Sequence, residues 1–91
     1  MRTLVWRAKA LDDLEAIIAY IAARNAAAAG RLQSAIEACA ESLPAHPFMY
    51  RPGRVADTRE AVVHPNYILI YGVTETLIEI ISVVHSRQQY P

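Results

Sequence analysis

The sequence has one cysteine, one tryptophan, one phenylalanine and three glycines, and its nine basic side chains are matched by nine acidic ones. Each scarcity removes a class of protein. A single thiol, Cys39, cannot close an internal disulfide, so the chain is not a stapled secreted scaffold and suits a reducing compartment. A formal net charge of +0 gives no overall pull toward nucleic acid. The balance is also even along the chain, with five basic and five acidic residues over 1–50 and four of each over 51–91. No apolar run approaches a membrane span and the N-terminal residues lack a signal-peptide pattern, so a cytoplasmic protein with no membrane partner is expected. No P-loop, dinucleotide fingerprint or nucleophile elbow is present.

What remains is globular composition. The 91 residues are 54% hydrophobic and 20% charged, which suits one domain over 1–91 and leaves no room for a second. Thr3-Leu4-Val5-Trp6 is a β-branched and aromatic run that predicts a strand. From Ala8 the period changes: Leu11, Leu14, Ile17, Ile18 and Ile21 form one helical stripe, predicting a helix to about Ala23. Asp12, Asp13 and Glu15 are expected to complement its dipole. Asn25 then reads as an N-cap ahead of Ala26 to Ala29, and Leu32, Ile36, Cys39 and Leu43 form the stripe of a second helix that ends by Pro44. Cys39 is therefore expected as a small buried hydrophobe, since no His or acid stands at an activating spacing. Gly30, inside this helix, is expected to permit close packing against the first.

Turn signals crowd Pro44 to Arg54, which reads as a loop ending in an Arg51-Pro52-Gly53-Arg54 turn. Thr58 to His64, Asn66 to Val73 and Leu77 to Val84 return to strand composition, joined by turns at His64-Pro65-Asn66 and Val73-Thr74-Glu75-Thr76. In the last run, Leu77, Glu79, Ile81 and Val83 alternate with Ile78, Ile80, Ser82 and Val84. Both sets are largely apolar, which predicts a central strand covered on both faces. The order β-α-α-β-β-β predicts an α+β fold, a small antiparallel-meander sheet packed against a helical hairpin. Its other face would be only partly shielded by its own chain, and so much apolar strand in so small a protein calls for a standing partner.

Three groups of side chains are candidates for chemistry. Arg51, Arg54 and Arg59 cluster before and within the first meander strand, diluted by Asp57 and Glu60; they suit phosphate, an acidic protein segment, or a solvated rim. Tyr67 and Tyr71 share a strand face and could stack a base, although packing under a partner or against the helices explains them as well. His85, Arg87 and Tyr90 follow the last strand and could form an acid-base and phosphate-holding group, or simply a solvated tail. His46 and His64 sit in turns without a second ligand at metal spacing, so neither a metal nor another cofactor is expected.

The ordered set of these features resembles the RelE/ParE superfamily of toxins from bacterial type II toxin–antitoxin modules, also called plasmid stabilisation proteins. The resemblance runs through Val5-Trp6, Ala10-Leu11-Asp12-Asp13-Leu14, Ile17 to Ile21, Arg51-Pro52-Gly53-Arg54, Asp57-Thr58-Arg59-Glu60, Pro65-Asn66-Tyr67-Ile68-Leu69-Ile70-Tyr71 and Val83-Val84-His85 with Arg87. It implies a growth-inhibiting toxin, neutralised by an acidic, partly disordered antitoxin. In the ribonuclease branch, which cuts messenger RNA on the ribosome, an arginine typically occupies the strand position held here by Ile68. Arg59 matches a basic position of that branch, but its companion two residues on is Ala61. The ParE branch, whose members resemble inhibitors of DNA gyrase without a catalytic centre of their own, tolerates an apolar residue there. The favoured expectation is thus a gyrase inhibitor with no catalytic residue, presenting Arg51, Arg54, Arg59, Tyr67, Tyr71 and Arg87 to its target or partner. The alternative is a ribosome-dependent endoribonuclease using Arg59, His85, Arg87 and Tyr90.

Overall fold

Period-two alternation at both ends of the chain, with period 3.6 between, sorts it into strands flanking helices. The computed structural model describes residues 1–90. In order they form β1 (Thr3–Trp6), α1 (Ala8–Ala22), α2 (Ala26–Ser42), β2 (Arg51–Pro52), β3 (Thr58–His64), β4 (Tyr67–Val73) and β5 (Leu77–His85). The strands make one sheet in the order β1-β5-β4-β3-β2, an α+β fold. β3, β4 and β5 form the expected antiparallel meander. β1 instead lies parallel to β5, with Thr3 opposite Leu77 and Trp6 opposite Ile80, so the sheet is mixed. A parallel pair needs a long crossover, and the helical hairpin supplies it.

The Arg51-Pro52-Gly53-Arg54 stretch is not simply a turn. Arg51 and Pro52 pair with Glu60 and Arg59 as an edge strand, where proline's missing N–H does no harm. Gly53 N–H then reaches Thr58 O at 2.7 Å. A Cβ on Gly53 would run into Thr58 Oγ1, so this close approach requires glycine. Gly30 is a different case: no atom lies within 4 Å of where its Cβ would be, so helix packing does not demand it.

The Asn25 side chain caps α2 as expected, accepting the Ala28 N–H at 3.0 Å. α1 has no such cap and no acidic residue in its first turn. Its Asp13 serves packing instead of the dipole. Asp13 Oδ2 accepts from Lys9 Nζ (2.9 Å), Ser82 Oγ (2.7 Å) and the Val83 N–H (3.1 Å), tying α1 to β5.

That tie sits beside a bulge. Ile70 pairs with Ser82 but Tyr71 pairs with Ile80, leaving Ile81 as an extra residue on β5. The simple alternation of β5 is therefore broken. Val83 joins Ile78 and Ile80 in the core beneath the helices, together with Ala10, Leu14, Leu32, Ile36, Leu43, Leu69 and Tyr71. Ile81 and Val84 turn to the opposite, outer face, with Ile68 and Ile70, where the ring of Tyr90 packs on them.

Candidate functional site

The three clustered arginines are held by their own fold. Glu60 is only 4% exposed on the outer face, and its carboxylate receives Arg51 Nη2 at 2.9 Å and Arg54 Nε at 3.9 Å. The Arg54 backbone N–H adds a bond at 3.3 Å. Arg59 leaves for the other side of β3, where Nη1 donates to Tyr50 O at 2.7 Å and its guanidinium lies over Phe48, 5.0 Å from the ring centroid. The cluster therefore divides into an ion-paired edge and a loop clamp. Arg51 and Arg54 remain about half exposed, so each still offers donors to a partner.

Tyr67 and Tyr71 do share a face, and it is the one under the helices. Tyr71 is fully buried, meets Tyr50 edge-on and donates its hydroxyl to Pro47 O at 3.0 Å. It organises the loop after α2 and offers nothing to a partner. Tyr67 is half-buried between His64 and His85, with ring centroids 5.8 and 5.3 Å away. Cys39 lies half-buried on the α2 stripe, its Sγ 3.7 Å from Tyr50 Oη, and burial pushes its thiol pKa up, away from nucleophile chemistry.

Arg59, His85 and Tyr90 are not brought together; only Arg87 stays close to His85, its backbone N–H donating to His85 Nδ1 at 3.1 Å. Arg59 pairs with Tyr71 and His85 with Tyr67, at opposite ends of β4 and so about 13 Å apart along the strand. His85 faces the helix side, where it lines a cavity with Tyr20 and Arg31. Tyr90 lies on the outer face, its ring 4.5 Å under the Arg54 guanidinium. Among the described residues, the buried Tyr90 hydroxyl has no hydrogen-bond partner.

The outer face holds an apolar cleft of about 590 Å³. Ile70, Ile81 and Val84 floor it, Tyr90 and Val55 wall it, and Arg7, Lys9 and Glu79 stand at its rim. Asp57, in the wall, takes a left-handed φ of 66°, which aspartate tolerates better than most residues. The sequence predicted an incompletely covered face. It did not predict the bulge that turns Ile81 into that face, nor the tail residue that folds over it.

Lys9, Asp13 and Ser82 form a constellation that spacing in the sequence could not reveal, since Ser82 lies 69 residues from Asp13. Lys9 Nζ donates to Ser82 Oγ at 3.0 Å, the hydroxyl donates to Asp13, and burial against the helix competes with three hydrogen bonds on that carboxylate. A lysine acting as base would have to accept from the serine. Here it donates, so the group is a brace and not a nucleophile with its base. Among the described residues no three His, Cys, Asp or Glu side chains gather as a metal site, and no helix is long and apolar enough to cross a membrane.

Comparison with known proteins places this geometry. A family model described as the ParE toxin of the type II toxin–antitoxin system parDE matches residues 4–90. The presumed toxin Y4kP of Sinorhizobium fredii is 37% identical over 87 residues, covering 94% of this chain and 90% of that protein. Toxin RelE2 of Caulobacter vibrioides is 36% identical over 90 residues, covering 97% and 99%. A chain of the chromosomal ParDE system from P. aeruginosa superimposes with a TM-score of 0.83 at 22% identity, over 93% of this chain and 96% of that one, a likeness of fold.

Proposed function

The chain belongs to the ParE toxin family of type II toxin–antitoxin systems, and from that we propose that it arrests growth by inhibiting DNA gyrase, without cutting RNA. Membership implies a cognate antitoxin that silences it. One observation carries the reading: of the residues a nuclease would use, Arg59, His85 and Tyr90 are dispersed over two faces and both ends of the sheet, and only Arg87 stays beside His85. General acid-base work needs its groups within hydrogen-bond reach of one phosphate. Arg59 is already committed to Tyr50 O and Phe48, and Ile68, where the ribonuclease branch carries a cation, is 3% exposed beneath Tyr90. The absent net charge also argues against docking into ribosomal RNA.

The ribosome-dependent endoribonuclease remains the second reading, because a relative at 36% identity bears the name RelE2. Induction in cells separates the two. Mapping message ends within minutes of induction is expected to find intact messages alongside a DNA-damage response; ribosome-phased cuts overturn the gyrase reading. The antitoxin, acidic and partly disordered, wraps the helical hairpin and reaches the outer sheet face, folding as it binds. Arg51, Arg54 and Arg87 are the exposed cations that such a segment or the target would meet, with Tyr67 contributing at its half-buried edge. Both proteins act in the cytoplasm.

A further inference from the structure

Seven of the nine basic side chains have a partner. Arg7 pairs with Glu79, Lys9 with Asp13, and Arg51 and Arg54 with Glu60. Arg24 lies over Tyr20, while Arg2 and Arg59 hold backbone carbonyls and cover Phe48. Among the described residues, Arg31 and Arg87 have no such partner. Arg31 is exposed on α2, and its helical neighbours at i±3 and i±4 are Ala27, Ala28, Ser34 and Ala35, so no carboxylate on its own helix can reach it.

Arg31 lines a cavity of about 790 Å³ between the helical hairpin and the β3–β4 turn, together with Tyr20, His64, Asn66, Tyr67 and His85. The volume falls among small-molecule sites, and among the described residues no carboxylate belongs to the lining. Both histidines are fixed by their own turns. His64 Nδ1 accepts the Asn66 N–H at 3.0 Å and His85 Nδ1 accepts the Arg87 N–H at 3.1 Å. The Ser86 N–H to Asn66 O bond, 2.7 Å, ties the two turns together. A neutral imidazole whose Nδ1 accepts carries its proton on Nε2. Each ring therefore offers the cavity an N–H donor and withholds the lone pair a metal would need, an arrangement for an anion. The same cavity has aromatic surface from Tyr67, set between the two histidines, and from Tyr20, which is 60% exposed.

We propose that this cavity binds a phosphomonoester joined to an aromatic base, as in a mononucleotide, with Arg31 and a flanking histidine on the phosphate and Tyr20 and Tyr67 beside the base. A carboxylate-rich peptide would use the same donors but leave the two tyrosine surfaces idle, and those surfaces decide for the base. The site lies across the sheet from the apolar cleft and does not depend on which cellular target the toxin has.

Titration calorimetry of the full chain with AMP is expected to give saturable binding, with adenosine and inorganic phosphate each at least about tenfold weaker. Arg31→Gln should weaken AMP by roughly tenfold, since it removes the charged bidentate donor. Arg7→Gln removes an equal charge at the cleft rim on the other face and should change AMP binding by less than about twofold. A 5′-phosphorylated dinucleotide that binds more tightly than AMP supports the same phosphate chemistry and assigns it to a nucleic-acid end; weaker or equal binding assigns it to a free nucleotide. The proposal is overturned by no saturation in the millimolar range, by equal losses in Arg31→Gln and Arg7→Gln, or by a glutamate-rich peptide that binds where AMP does not.

Discussion

Burial raises the pKa of the Asp13 carboxyl, but hydrogen bonds from Lys9, Ser82 and the Val83 N–H outweigh it and leave the folded value below the ordinary one. A carboxylate depressed in the native state contributes stability that is fully present above its unfolded pKa, near 4, and is lost as pH falls through the lower folded value. Thermal melts should therefore lose stability on acidification below about pH 5, and Asp13→Asn should flatten part of that slope. At neutral pH the same variant should cost about 2 kcal/mol, or roughly 10 °C in Tm, because an amide cannot accept from all three donors. A loss under about 0.5 kcal/mol would mean that the brace is ornamental. Glu60 gives a second test at this scale. Replacing Arg51 and Arg54 together with glutamine strands its buried carboxylate and should lower stability by about 2 kcal/mol, read by urea unfolding. Loss of toxicity with unchanged stability would instead assign those arginines wholly to a partner.

At the scale of elements, the cap on α2 is an independent contribution. Asn25→Ala removes the acceptor of the Ala28 N–H and should cost about 1 kcal/mol in denaturant unfolding, with little effect on growth inhibition. The helices were legible because their signals are local: Asn25 and Pro44 bracket α2, and the stripe of Leu14, Ile17 and Ile21 defines α1. The meander was legible for the same reason, its turn residues lying between apolar runs. What escaped was set by distance in sequence. β1 finds β5 across 70 residues or more, and no composition announces a parallel partner. The two-residue β2 exists only because Glu60 and Arg59 lie opposite it. The Ile81 bulge is invisible in an apolar run where either alternating set could face the core, and it decides that Val83 goes in and Ile81 goes out. For the arginine cluster, Glu60 is legible in the sequence as a diluting charge, but nothing there says that it lies buried beneath Arg51 and Arg54.

Taken as a whole, the molecule spends its helical hairpin on one sheet face and leaves the other to a cleft walled by Tyr90 and the loop around Asp57. An Ile68→Arg change tests whether a nuclease is latent in that face. It would set a guanidinium among Ile70, Val84 and Tyr90, so the expected outcome is a destabilisation of about 2–4 kcal/mol and no gain of RNA cleavage. New cleavage would mean that only this cation had been missing. The dispersal of Arg59, His85 and Tyr90 says otherwise, since one substitution cannot move residues on opposite faces into reach of one phosphate. The most direct measurement is DNA supercoiling by purified gyrase titrated with the purified toxin. Inhibition or trapped cleaved DNA at stoichiometric toxin, reversed by the cognate antitoxin, is the predicted result; full supercoiling activity at a large excess of toxin contradicts it.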